Sequence, residues 1–357
     1  MRVPLFDLSR LINEHRGDLI SSFERCLSHS KFIMGPEVLS FEKSFLKKVN
    51  SKYCISSSSG TDALLSIFMS LDLKPGSEII VPSFTFMASA SSIIRAGLKP
   101  VFADLEAGSF HPSCETIKNV WTKNTKGVLF VHLFGEPENL SEVKKLCDEN
   151  DAILIEDCAQ SYGSTAGNSG LASAYSFFPA KNLGCLGDGG AVTTNSFELA
   201  EKIKLIRSHG SKKKYTYERL GGNFRMDTVQ AGFLNVLINE ADTWIEKRRD
   251  NARYYSDSLS GIKGLVLPKD CPGHSWNQYT LRCKNRENLK KHLDANGIGN
   301  AIYYPNPLHK SLEVFGPRND LVETERVCKE VLSIPVYPGL TDLEREFVVE
   351  KIKEFFV

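Results

Sequence analysis

Between Lys52 and Thr194, short β-rich runs alternate with helix-patterned stretches, and this alternation limits the possible folds more than any other feature of the chain. The runs cover residues 53–55, 78–81, 100–103, 127–131 and 152–155. Strands separated by helices pair as a parallel sheet, which then needs helices over both faces. The spacing therefore predicts an α/β domain built on a mostly parallel sheet. Residues 227–239 and 240–259 carry apolar side chains at helical intervals and read as two helices leading out of the sheet, the second of them long. Beyond residue 260, strand-like 278–283, helix-like 286–295 and amphipathic 342–356 predict a smaller α+β domain. The expected division is a large domain over 1–240, N-terminal helices included, and a linking helix with a small domain over 241–357. The polar clusters 210–214 and 284–288 read as loops.

Composition narrows the function. With 357 residues, 41% of them hydrophobic, the chain has apolar material for two cores and needs neither disulfides nor metals to fold. Lysine plus arginine (44) balance aspartate plus glutamate (43), so no global basic field gathers nucleic acid. The nine cysteines are scattered, with no C-x-x-C pair, which suits reduced thiols in a cytoplasm. Asp7 and Arg10 interrupt the apolar run that a signal peptide requires, and no stretch reaches the length of a membrane span. The expectation is a cytoplasmic protein without nucleic-acid or membrane partners. The eight histidines show no H-E-x-x-H or comparable spacing, so no metal site is expected.

Three blocks carry chemistry. In Ser176-Phe177-Phe178-Pro179-Ala180-Lys181, followed by the glycine-dense 184–190, a lysine lies between a strand and a tight turn. A buried amine loses its charge easily, and a neutral lysine condenses with aldehydes, which is how pyridoxal phosphate is held. A surface lysine is the ordinary alternative. Upstream, the apolar run 152–155 ends in Glu156-Asp157-Cys158-Ala159-Gln160. An acid at the carboxyl end of a parallel strand sits where open α/β sheets bind ligands, and a carboxylate there keeps a pyridine nitrogen protonated. Asp157 equally suits a helix N-cap. In Ser57-Ser58-Ser59-Gly60-Thr61-Asp62 a strand gives way to a helix start, whose free amides make a phosphate seat. Phe84 and Phe86 follow another strand, where an aromatic ring stacks on a planar ligand or simply joins the core. Neither a phosphate loop of the G-x-x-x-x-G-K-[ST] type nor a strand-borne G-x-G-x-x-G is present.

The order and spacing of these blocks resembles the DegT/DnrJ/EryC1/StrS family of sugar aminotransferases. The likeness spans nearly the whole chain, from Phe32-Ile33-Met34-Gly35-Pro36-Glu37 through Gly60-Thr61-Asp62, Glu156-Asp157-Cys158-Ala159-Gln160 and the Lys181 block. It continues in Arg207-Ser208-His209-Gly210, Gly222-Asn223-Phe224-Arg225-Met226-Asp227 and Tyr304-Pro305-Asn306-Pro307-Leu308-His309. The resemblance implies an α/β, fold-type I (aspartate aminotransferase-like) enzyme dependent on pyridoxal 5'-phosphate. Lys181 would anchor the cofactor as an imine and Asp157 would partner its pyridine nitrogen. By the same matching Gly60, Thr61 and Ser176 would hold its phosphate, Phe86 would stack on the ring, and Gln160 would lie near its phenolic oxygen. Asn223 would reach the phosphate in a neighbouring subunit, which implies a homodimer with shared sites. Glutamate would donate the amino group, leaving 2-oxoglutarate.

The acceptor implied by the resemblance is a keto-sugar on a nucleotide, with the amine placed on carbon 3 of a UDP-linked 2-acetamido-3-keto hexose. Such products feed lipopolysaccharide, O-antigen, lipid A or antibiotic sugars. A dTDP-linked 3-keto-6-deoxyhexose is the alternative, and a dehydratase of the same fold a more distant one, because the relatives that dehydrate replace the anchoring lysine by histidine. Arg225, Tyr215, Tyr217, Tyr303, Tyr304 and His309 are candidates for contacts to the sugar or diphosphate. One departure stands out: many relatives read His-Tyr-Pro where this chain has Tyr303-Tyr304-Pro305, so a phenol replaces a histidine in the expected substrate region.

Overall fold

A computed structural model describes residues 1–315 and 320–357. The five runs read from the sequence are all strands: β1 (Tyr53–Ser57), β2 (Glu78–Pro82), β3 (Lys99–Ala103), β4 (Thr125–Val131) and β5 (Ile153–Asp157). Two more join them, β6 (Ala172–Ser176) and β7 (Gly190–Thr194), giving a seven-stranded sheet in the order β1-β7-β6-β5-β4-β2-β3. Only β7 runs against its neighbours. β6 is the strand expected just before Lys181, although Ala-Ser-Ala-Tyr-Ser contains no β-branched residue to mark it.

Alternation along the strands loads both faces of the sheet. Ile79, Val81, Leu129 and Ile155 pack on one side with Ile67 and Ile203 from the helices Gly60–Ser70 and Phe197–Arg207. Ile80, Val128, Phe130 and Leu154 point the other way, against Val143 and Leu146 of the helix Ser141–Glu149. A third core gathers Phe41 and Phe45 of the helix Pro36–Leu46 with Tyr175, Phe177 and Leu234.

The smaller sheet is antiparallel, in the order β10 (Leu265–Val266), β11 (Tyr279–Cys283), β12 (Val331–Ile334). Helices Arg286–Ala295 and Asp342–Phe355 supply Leu289, Leu293, Val348 and Ile352 to its core. Val3 belongs to that core and bridges Ile298, while Leu11 is already in a core of the large sheet. The long helix Ala241–Leu259 likewise buries Trp244 in the large domain and Tyr255 in the small one. Arg10 locks the entry with a bidentate pair to Glu344, both contacts 2.7 Å.

Two segments expected as loops are partly regular. Ser211–Lys213 (β8) pairs with Thr216–Tyr217 (β9) as a short hairpin that turns through Tyr215, whose φ is 65°. Arg286, inside the second polar cluster, opens the helix expected over 286–295, with Asn285 at the N-cap position. Among the described residues all nine cysteines are free thiols, and no helix is long and apolar enough to cross a membrane.

Candidate active site

The register of the sheet brings the chemistry-bearing blocks to one edge. Ser57 at the end of β1 and Ser176 at the end of β6 both face Gly190, the first residue of β7. Asp157 ends β5 alongside Ala174 of β6. The turns after β1, β2, β5 and β6 therefore open on the same side, at the carboxyl ends of the parallel strands, where ligands enter sheets of this kind.

After β1 the helix Gly60–Ser70 begins, with Ser59 as N-cap accepting the Asp62 amide at 3.1 Å. The amides of Gly60 and Thr61, at the first two helical positions, take no part in that cap, so they and the positive end of the helix are available to an anion. Ser176 stands directly against them: a Cβ on Gly60 would lie 2.8 Å from the Ser176 Cβ. After β2, Phe86 stands at the N-cap position of the helix Met87–Arg95 and is 56% exposed, with the Tyr304 ring 6.1 Å away.

Asp157 is buried. Its Oδ1 accepts the Ala159 amide at 3.0 Å and its Oδ2 the Ser89 hydroxyl at 2.9 Å. Burial pushes its pKa above the ordinary aspartate value, while those two donors, the Lys181 amine and His132 pull it back down. Lys181 lies in the turn between β6 and β7. The turn is tight because Gly184 leaves room for the Pro179 carbonyl, which would sit 2.6 Å from a Cβ there. It is pinned by Asn182, which donates to the Tyr162 and Ser275 carbonyls at 3.2 and 2.9 Å. Burial lowers the Lys181 amine to about 8, with Asp157 drawing it up. Such an amine is neutral in part of its population near neutral pH, the form that attacks carbonyls.

Gln160 is fixed at both ends, its Oε1 accepting the Phe134 amide at 2.7 Å and its Nε2 donating to the Tyr304 hydroxyl at 3.1 Å. Because that hydroxyl accepts from Gln160, its own hydrogen is free for another partner. Tyr303 is half-buried beside it, the two rings 5.9 Å apart.

Other candidates lie elsewhere. Tyr215 and Tyr217 stand on the β8–β9 hairpin with 77% and 65% exposure. Asn223 is exposed and its backbone bridges Ser208. Arg225 is part-buried, with a buried Nε that finds no partner among the described residues. His309 turns both ring nitrogens inward, Nδ1 2.7 Å from the Ser83 hydroxyl and Nε2 3.4 Å from Glu325, and so ties the stretch after Tyr304 to the turn after β2. Thr85, Ser89, Asn182 and the His132–Glu156 pair were not singled out from the sequence, since no local pattern marks them.

The model of the DegT/DnrJ/EryC1/StrS aminotransferase family matches residues 13–353. The chain belongs to that family. Its aminotransferases depend on pyridoxal 5'-phosphate, and the residues present fit the group: unbonded amides for a phosphate, a carboxylate for a ring nitrogen, an exposed aromatic ring and an amine of lowered pKa. The chain is 37% identical over its whole length to the "Pleiotropic regulatory protein" of Geobacillus stearothermophilus, covering 99% of that protein. It is 34% identical to the dTDP-3-amino-3,4,6-trideoxy-alpha-D-glucose transaminase of Streptomyces venezuelae, over 99% of this chain and 96% of the relative. The crystal structure of S. venezuelae DesV in complex with a ketimine intermediate superposes with a TM-score of 0.95 at 33% identity, over 99% of this chain and 98% of the other. Further relatives are named as aminotransferases of UDP-linked 3-oxo sugars.

Proposed function

We propose that this aminotransferase moves the amino group of glutamate to carbon 3 of a UDP-linked 2-acetamido-3-keto hexose, in the making of a bacterial surface polysaccharide such as lipopolysaccharide or O-antigen. The coarser statement, a sugar aminotransferase acting on nucleotide-linked keto-sugars, rests on family membership and on the named activities of relatives. The observation that carries the reading is the meeting of Lys181 and Asp157 at one sheet edge, beside the free amides of Gly60 and Thr61. When bound, pyridoxal 5'-phosphate supplies the electron sink that lets an α-proton leave. Lys181 holds the cofactor and, once released, carries that proton in each direction. Asp157 pairs with the ring nitrogen; Gly60, Thr61 and Ser176 seat the phosphate. Phe86 covers the ring and Gln160 lies beside its phenolic oxygen.

A homodimer belongs to this reading, with Asn223 completing the partner's phosphate site. Arg225, Tyr215, Tyr217, Tyr303 and Tyr304 contact the nucleotide or sugar. His309, anchored through Nδ1 at the Ser83 hydroxyl, is the further candidate for such a contact.

A second reading, a dTDP-linked 3-keto-6-deoxyhexose as acceptor, is favoured by the S. venezuelae relative and by Tyr303, a phenol where a histidine would suit an acidic sugar. The deciding experiment is an absorption titration of the cofactor-loaded protein. Glutamate should bleach the visible band, and only the true acceptor should restore it. Recovery with the UDP-linked sugar supports the first reading, recovery with the dTDP-linked sugar replaces it, and a band indifferent to glutamate removes the donor.

A further inference from the structure

Asp157 is held by a backbone amide on one oxygen and by a side-chain hydroxyl, that of Ser89, on the other. Ser89 has one hydroxyl hydrogen, and the carboxylate takes it. Thr85 Oγ1 lies 3.0 Å from Ser89 Oγ and must therefore be the donor in that contact. Both hydrogen bonds acquire a direction: Thr85 gives to Ser89, and Ser89 gives to Asp157. The three side chains are 2%, 1% and 5% exposed, so water does not compete for these bonds.

We propose that Thr85 and Ser89 are positioning residues, a one-way pair of hydroxyls that sets the orientation and basicity of the Asp157 carboxylate. The proposal rests on Asp157 being the partner of the cofactor's ring nitrogen. A carboxylate in a dry site has to stay ionised to pair with a protonated nitrogen, and donors to its charged form favour that state. A hydroxyl that is itself hydrogen-bonded at its oxygen is a stronger donor, so Thr85 acts through Ser89. The other groups facing Asp157 are the Lys181 amine from the turn after β6, His132 from the end of β4 and the Tyr304 phenol from the small domain. Among these side chains only Ser89 hydrogen-bonds the carboxylate.

Two readouts test this without measuring turnover: the affinity of the cofactor-free protein for pyridoxal 5'-phosphate, read by tryptophan fluorescence, and the pH midpoint of the visible band after loading. Ser89→Ala should weaken binding about tenfold and move the midpoint by about one pH unit. Ser89→Thr should restore both, and Thr85→Val should shift both in the same direction by about threefold and half a unit. Thr85→Val decides the matter if Ser89→Ala does not fold. Asp157→Asn serves as reference. Wild-type behaviour in both hydroxyl variants, with Asp157→Asn displaced, would overturn the proposal. Wild-type behaviour in Asp157→Asn as well would remove Asp157 from the cofactor, and the proposal with it.

Discussion

Gly60 and Ser176, the first residue of a helix and the last of a strand, are packed so closely that a methyl on the glycine would stand 2.8 Å from the serine Cβ. That atom is not the end of a flexible side chain, so a larger residue has to push the helix start away from the strand end. The amides expected to hold the phosphate move with it.

Gly60→Ala should therefore weaken cofactor binding by about tenfold, the ordinary cost of overpacking a tight contact. The far-ultraviolet spectrum should stay unchanged. Fluorescence titration with pyridoxal 5'-phosphate measures this, and wild-type affinity would separate Gly60 from the phosphate seat.

Lys181 makes a prediction about stability. Its amine titrates at about 8, against 10.5 for an ordinary lysine. Between those values the unfolded chain holds a proton that the folded chain lacks, so the residue's contribution to stability climbs as pH rises through that window. Below it the whole cost of burying the charge is present. The cofactor-free Lys181→Met protein should melt about 2–4 °C above the cofactor-free wild type at pH 7, and the gap should close toward pH 10.5. The same variant should show no turnover and no visible band with pyridoxal 5'-phosphate. A melting gap that ignores pH would mean an amine already in water.

Glu156 organises the loop that follows β5. Its carboxylate accepts the amides of Gly167, Ser169 and Gly170 and meets His132 Nε2 at 2.9 Å. Burial alone would raise its pKa, but His132 and the amides of Gly170 and Gly167 outweigh it and hold the group below 4.5. Its stabilisation is complete above that pH and disappears as pH falls through the lower folded value. Glu156→Gln should cost about 2–4 kcal/mol at pH 7 by urea unfolding, with the difference from wild type fading in acid. A constant difference across pH would show that shape, not charge, holds the loop.

Arg248 is buried and pairs with no acid among the described residues; burial lowers its guanidinium to about 9, and its Nη1 donates to the Trp276 and Asn277 carbonyls at 3.2 and 3.4 Å. Replacement by alanine removes those bonds and leaves a cavity, so about 3 kcal/mol should be lost. Arg248→Met fills the space without a buried charge and should recover at least half of that loss. Equal losses in urea unfolding would show that the two carbonyl contacts alone hold the helix.

How much of this was legible beforehand depended on how far apart the partners lie in sequence. All five strands read from alternation are present, because each run carries its own apolar pattern. Lys181 and Asp157 stood out because a strand end and a glycine-rich turn are local signals. The contacts that shape them are not local. Ser89 and Asp157 are 68 residues apart, Asn182 and Ser275 93, and Gln160 and Tyr304 144. Only the completed fold brings such pairs together. His309 was legible only as part of a family block, and its bond through Nδ1 to the Ser83 hydroxyl spans 226 residues.

The helix Ala241–Leu259 runs unbroken through 19 residues, about 28 Å, with Trp244 set in one core and Tyr255 in the other. Near the start of the chain, Val3 and Leu11 repeat the arrangement within a few residues. Two separate struts thus join the halves of the molecule. Swinging one half against the other would require bending a continuous rod and dragging a second anchor at the same time. Rotation of one half against the other would thus have to disturb packed core at two places at once.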